Sequence, residues 1–157
     1  MSKYQKYQIA TVKRSSISLA DYNPRVITEH AQKQLRKKIK DVGLLSPLIV
    51  NTNTGRLVSG HQRITQLDAL EGYPTRGDYD IQIAQVALSE NTEKEMNIFL
   101  NNPSAQGEFD LDALKIILEE GEIKIDDLGF EDSDIQILFE DFDVLGTIKD
   151  ETQKSEA

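Results

Sequence analysis

The stretch Ser59-Gly60-His61-Gln62-Arg63 holds the residue types and spacing best suited to chemistry. A short apolar run, Leu57-Val58, ends at Gly60, and a helical pattern opens directly after it, with Ile64, Leu67 and Leu70 at helical spacing. A strand that turns through glycine into a helix aims unpaired backbone N–H groups at one point, and the helix dipole adds partial positive charge there. Such a corner holds an anion, most often a phosphate. Arg63 falls in the first turn, where its planar fork can clamp two phosphate oxygens. His61 adds a donor or a proton carrier near neutral pH. The competing reading is a tight turn whose Arg63 pairs with a surface acid.

The elements that must position this corner follow from periodicity and punctuation. Residues 1–7 read as loose, and Ile9 to Leu19 as one or two strands. Asp21-Tyr22-Asn23-Pro24-Arg25 is a turn, because proline fixes its own φ and pushes Asn23 towards an extended shape. Thr28 caps a helix to about Val42 with Ala31, Leu35, Ile39 and Val42 on its buried stripe, and Gly43 stops it. Lys33, Arg36, Lys37 and Lys40 fall on the other side, as a solvated face or as contacts to a nucleic-acid backbone. Pro47 to Val50 is a buried strand, 51–55 a hairpin connection, and Arg56 to Ser59 the strand that feeds Gly60. The helix from His61 runs to about Glu71. After the loop 73–78, Ile81 to Leu88 is another strand, and Thr92-Glu93-Lys94-Glu95 is a capping box opening a helix through Met96, Phe99 and Leu100.

The stretch 101–107, Asn-Asn-Pro-Ser-Ala-Gln-Gly, breaks the pattern, which places an α/β domain at 1–102. An acidic helical appendage follows at 103–148. In it Asp110 caps a helix carrying Leu111, Leu114, Ile117 and Leu118, stopped near Gly121, and Ile123, Ile125 and Leu128 form a connector. Ser133 caps a last helix with Ile135, Leu138 and Phe139. Residues 149–157 read as a disordered charged tail.

Composition narrows the function classes. The absence of cysteine excludes a disulfide, a thiolate nucleophile and a Cys-ligated metal. No apolar stretch approaches membrane-spanning length and no signal peptide is visible, so the expectation is a soluble, cytoplasmic protein without a membrane partner. The net charge of −9 is split: residues 1–76 carry 13 Lys/Arg against 5 Asp/Glu, and residues 77–157 carry 5 against 22. That asymmetry suggests a basic face for polyanions beside an acidic region that shields it, meets a basic partner, or keeps the chain in solution. The acid-rich 126–143 stretch lacks the residue order of a calcium loop, and no metal site is expected.

Three segments in order resemble the ParB/sulfiredoxin superfamily, specifically its ParB-like N-terminal domain. They are Asn23-Pro24-Arg25, then Gly43-Leu44-Leu45-Ser46-Pro47-Leu48-Ile49-Val50 after a helix, then Leu57 to Arg63 opening the next helix. The resemblance covers about residues 15–102 and implies an α/β (α+β) fold with a small mixed sheet and helices. The branch most similar is the ParB-like domains of phages and mobile elements, which sit beside or within DNA methyltransferases. Those carry a Gly-His-x-Arg corner and an Asn-rich break before Gly-Glu-aromatic-Asp, as in Asn101-Asn102 and Gly107-Glu108-Phe109-Asp110 here.

The departures separate activities. Chromosome-partitioning ParB proteins bind CTP with Gly-Glu-Arg-Arg and a later Glu-Asn-x-x-Arg. Here His61 and Gln62 replace the Glu and first Arg, and the later segment, 100–103, has no Arg. The basic helix-turn-helix that follows in those proteins is missing too. Sulfiredoxin chemistry needs a cysteine. Free-serine kinases carry Gly-His-His-Arg, nearer to residues 60–63, and use a carboxylate base in the early loop, where this chain has Asn23 with Asp21 and Glu29 nearest.

The resemblance implies a nucleotide or phosphate site built from Asn23, Arg25, Ser46, Pro47, Ser59, Gly60, His61, Gln62 and Arg63, with CTP, ATP or ADP as ligand and Mg2+ as an optional companion. In that site Arg25 is a second phosphate clamp. The leading expectation is a phosphate-binding domain in phage or mobile-element DNA metabolism, nuclease-like or accessory to DNA modification. A phosphotransferase with His61, Asp21 or Glu29 in catalytic roles is the second. The third is a non-enzymatic adaptor whose acidic half binds a DNA methyltransferase or another basic partner.

Overall fold

A computed structural model describes residues 1–23 and 26–138. Pro24-Arg25, and with them the expected second clamp, lie outside the described residues, as do Phe139 and the expected tail at 149–157. The chain forms two compact units, one of residues 1–27 and 35–106, the other of residues 28–34 with the described residues from 107 on.

The first unit is a mixed four-stranded sheet with helices. Its strands are β1 (Gln8–Lys13), β2 (Leu48–Asn51), β3 (Arg56–Ser59) and β4 (Asp80–Val86), in the order β1-β4-β2-β3. β1 runs antiparallel to β4, β2 parallel to β4, and β2–β3 is a hairpin with a register shift at Ile49/Val50. The expected small mixed α/β sheet is therefore present. The core holds Ile17, Leu48, Val50, Leu57, Ile64, Ile81 and Ile83. Ile64 is the one contributed by α2 (His61–Glu71), and it is fully buried. Burying such a side chain is worth about 1.5–3 kcal/mol, which fixes the first turn of α2 on the sheet.

Three local expectations need correction. β1 stops at Lys13, and a 3-10 turn at Arg14–Ser16 follows, because Arg14 turns inward to a carboxylate. In α1 (Glu29–Val42) Ile39 is buried, whereas Val42 at the C-terminal end is exposed. α3 (Glu90–Leu100) is capped by Ser89, whose Oγ accepts from the Thr92 amide at 3.2 Å, so the helix begins earlier than the capping-box pattern suggests. Its buried residues are Glu93 and Asn97, while Ile98 and Phe99 face solvent. A short α4 (Pro103–Gln106) ends the unit.

The second unit holds the start of α1, α5 (Leu111–Glu120), a 3-10 turn at Ile125–Asp127 and α6 (Asp132–Leu138). Leu118, Ile125 and Ile135 form its core, with Leu114 and Phe130 against it. Asp110 caps α5 by accepting from the Asp112 and Ala113 amides. α6 starts at Asp132, so Ser133 lies inside it rather than capping it. α5 stops at Gly121, its C-cap, as expected, and the next residue, Glu122, takes the left-handed conformation (φ 52°).

Candidate functional site: the Gly60 corner

The corner forms where β3 meets α2, and only glycine fits it. Gly60 has φ 109°, and a Cβ there would come within 2.4 Å of Leu48 Cδ2. Gly60 is also the N-cap of α2, so no cap side chain covers the helix start, and the helix cannot pair its own first amides. The Arg63 guanidinium lies over this point: the same Cβ would stand 3.3 Å from its Nη2. Arg63 Nη1 donates to the Ser46 carbonyl at 3.0 Å and to Ser46 Oγ at 2.7 Å. Ser46, Pro47 and Arg63 also line one cavity of about 340 Å3 with Tyr7, Ile49, Ala84 and Val86.

His61 is buried, and its Nε2 accepts the Ala20 N–H at 3.1 Å. Nε2 as acceptor puts the ring proton on Nδ1. Burial lowers the imidazole pKa below its usual value, so the ring is neutral at pH 7. The mobile proton carrier expected from sequence is thus a fixed neutral ring that ties the 20–23 turn to the corner. Asn23 closes that turn by donating its amide to the Ala20 carbonyl at 3.2 Å. Asn97, fully buried on α3, spans both sides. Its Nδ2 donates to the Val58 carbonyl at 3.0 Å and approaches Asn23 Oδ1 at 3.4 Å.

The other predicted residues are dispersed. Ser59 pairs with Ile49 in the β2–β3 ladder, and Gln62 is half-buried in the first turn of α2. Asp21 is exposed, and Glu29, also exposed, sits 3.4 Å from Lys33 Nζ. Among the α1 cations, Lys33, Lys37 and Lys40 are exposed. Arg36 is exposed as well, and its Nε donates to Gln66 Oε1 at 2.8 Å, tying α1 to α2. Among the described residues no group of three or more His, Asp or Glu side chains converges in a way that could hold a metal ion, and no helix is long and apolar enough to cross a membrane.

Two clusters that sequence reasoning missed hold the corner's supporting elements. Glu93 is fully buried and accepts from Asn51 Nδ2 (3.0 Å), Arg56 Nε (2.9 Å), Tyr22 OH and Thr54 Oγ1. Burial opposes its charge, but hydrogen bonds from Thr54, Tyr22, Arg56 and Asn51 outweigh that and hold the carboxyl at about 2. Burial, then the bond to Glu93, pushes the Tyr22 hydroxyl up to about 12. This cluster joins α3 to the β2–β3 hairpin. In the other, Arg14 grips Asp68 through Nε (2.9 Å to Oδ1) and Nη2 (3.0 Å to Oδ2), and Tyr79 OH donates to the same carboxylate at 2.6 Å. That cluster fastens the C-terminal half of α2. The readable signal was Glu90, Glu93, Asn97 and Asn101 recurring at three- and four-residue steps, a polar stripe on one helix face.

Sheet order, helix placement and the glycine corner together define a ParB-like fold. No family model and no curated protein matches the chain. Among solved structures it is similar to the C-terminally truncated chromosome-partitioning protein ParB from Caulobacter crescentus complexed with CTP-gamma-S. The identity is 19%, the TM-score 0.56, and the match covers 83% of this chain and 76% of that one. It is also similar to a Pnob8-like ParB-N domain, at 16% identity and a TM-score of 0.49, over 96% of this chain and 51% of that one.

Proposed function

We propose that this chain is a DNA-associated, nucleotide-binding domain whose phosphate site is the Gly60 corner. The observation that carries the reading is the Arg63 guanidinium folded over a glycine N-cap. Amides that a helix cannot pair, a guanidinium and the Ser46 hydroxyl converge there, which is the donor set an anion needs. A nucleotide's phosphates fit that donor set. Gly60, His61 and Gln62 would offer backbone N–H groups, Arg63 its fork, and Asn23 and Arg25 the facing turn. Ser46 and Pro47 would border the rest of the ligand. The similar ParB was crystallised with a CTP analogue, which makes CTP the first nucleotide to test, ahead of ATP and ADP. Mg2+ would arrive on the phosphates, since the described residues supply no cluster for it.

Lys33, Arg36, Lys37 and Lys40 are the cations we assign to a DNA backbone, and their signature is steep loss of binding with salt. The Gly107-Glu108-Phe109-Asp110 segment after Asn101-Asn102 supports the phage and mobile-element, methyltransferase-associated branch.

The test is thermal denaturation with CTP, ATP and ADP, with and without Mg2+. A ligand at a hundred times its Kd adds about 2.7 kcal/mol to the folded state, so saturable stabilisation by at least one nucleotide is expected. In Arg63→Ala that stabilisation disappears. A flat response to all three nucleotides in the unaltered chain overturns the reading.

A further inference from the structure

The second unit carries a feature that the nucleotide site does not use. A groove of about 360 Å3 runs between α5 and the segment after it, lined by Phe109, Leu114, Ile117, Ile123, Leu128 and Phe130, among others. Phe109 is 63% exposed and Ile117 55%, and Ile123 and Leu128 also face solvent. Isolated apolar side chains on a surface need no explanation, but a contiguous groove of them does. Every lining residue is apolar or glycine. A small-molecule site would place a few polar side chains to orient its ligand, and this groove is lined by none. It is shaped to receive other apolar side chains.

Charge decides whose side chains these are. Residues 107–138 carry eleven carboxylates and two lysines. Exposed Glu108 and Asp110 flank Phe109 in sequence, exposed Glu122 precedes Ile123, and Asp126 and Asp127 precede Leu128. Glu122 takes a left-handed backbone (φ 52°) that a glutamate adopts at a cost, and it turns the chain just before Ile123 enters the groove lining. An apolar groove in a segment where carboxylates outnumber lysines eleven to two is complementary to a helix with leucine-type residues at i, i+3/i+4 and i+7 and lysine or arginine on its flanks. An acidic helix would bury the same area against repulsion, and a neutral one without the added attraction.

We propose that the α5–Phe130 groove is a docking site for a basic amphipathic helix of another protein. Apolar anchors fill the groove, and the carboxylates of the segment select the flanking charge and speed encounter. This goes beyond the Gly60 site and stands independently of it.

Fluorescence anisotropy with the full chain tests it. The probe is a labelled Lys/Leu peptide about five helical turns long with leucines on one face. The control has the same composition with the leucines scrambled. The amphipathic probe should bind at least about tenfold tighter than the control. Phe109→Glu and Ile117→Glu, both at exposed positions, should each weaken it about tenfold while leaving the thermal midpoint and any nucleotide response in place. Equal binding of probe and control would reduce the surface to bulk charge and overturn the proposal. Unchanged affinity in both groove variants would do the same. A second copy as occupant would show as a concentration-dependent dimer abolished by Ile117→Glu. Occupation by the chain's own residues 139–157 would show as tighter probe binding in a Phe139→Ser/Phe142→Ser variant. Either result would also sink it.

Discussion

Three arginines of the first unit look alike in sequence and differ in what they meet. Arg14 and Arg56 each join an Arg–carboxylate–Tyr cluster, with Asp68 and Tyr79 in one and Glu93 and Tyr22 in the other. Arg63 Nη1 is oriented by the neutral oxygens of Ser46. The partners differ in kind: a carboxylate meets each of the first two guanidinium groups, and a carbonyl and a hydroxyl meet the third. The first two arginines act as pins between elements, and the Arg63 guanidinium lies over the start of a helix. The proposed phosphate site would use Arg63, and comparison with the two pins is a way to test that use.

The sharpest way to break this comparison is to remove a pin. Glu93→Ala leaves the donors of Asn51, Thr54, Arg56 and Tyr22 without their shared acceptor inside the structure. Breaking a buried pair this way costs on the order of 3–5 kcal/mol, so the urea midpoint should collapse. A loss under about 1 kcal/mol would mean that the cluster is not a pin. The same carboxylate sets an acid limit. Its folded pKa of about 2 lies below the ordinary 4.5, so its contribution is complete above pH 4.5 and drains away as the pH falls towards 2. Stability measured across that window should fall in the unaltered chain and fall less steeply in Glu93→Gln.

Gly60→Ala attacks the corner's backbone. The new Cβ meets Leu48, which is fully buried and cannot yield, and φ 109° is strained for any L side chain. A loss on the order of 2–3 kcal/mol is expected. Measured in a Leu48→Ala background, the clash disappears and only the φ strain remains, so the cost of the same substitution should shrink. An undiminished cost would assign the whole effect to the backbone.

How much of this was legible beforehand follows the same division. The corner was readable because its signals are local: an apolar run, a glycine, then helical spacing from Ile64 to Leu70. The mixed sheet was readable from punctuation and from the order of three resembling segments. The pins were not, because they join residues far apart in sequence, such as Arg14 with Asp68 and Arg56 with Glu93. An apolar stripe is the usual guide to a helix's buried face, and α3 inverts it, burying Glu93 and Asn97 and exposing Ile98 and Phe99. Burial of a polar residue becomes favourable only when its partners converge from other elements, and a linear pattern does not display that. His61 shows the same limit: its type suggested proton transfer, but a distant amide, that of Ala20, fixed it as a neutral acceptor.

A weaker perturbation of the other pin should sharpen the ranking. Asp68→Asn keeps an oxygen for Tyr79 and Arg14 but removes the charge that faces a nearly buried guanidinium. The side chain of Asp68 is 18% exposed, so water can partly compensate, as it cannot at Glu93. The expected loss is about 1–2 kcal/mol in chemical denaturation. A loss equal to that of Glu93→Ala would show that burial of the carboxylate does not rank the pins.

The smallest expected effect is the most discriminating. Arg63→Ala removes a half-buried guanidinium that donates to the carbonyl and hydroxyl of exposed Ser46. Its cost in the absence of ligand should stay within about 0.5 kcal/mol, the range of ordinary surface changes. Arg14→Ala, by contrast, strands Asp68 and should be visibly destabilising. If the two substitutions shift the urea midpoint equally, Arg63 is a third pin, and the Gly60 corner is held together for folding rather than for an anion.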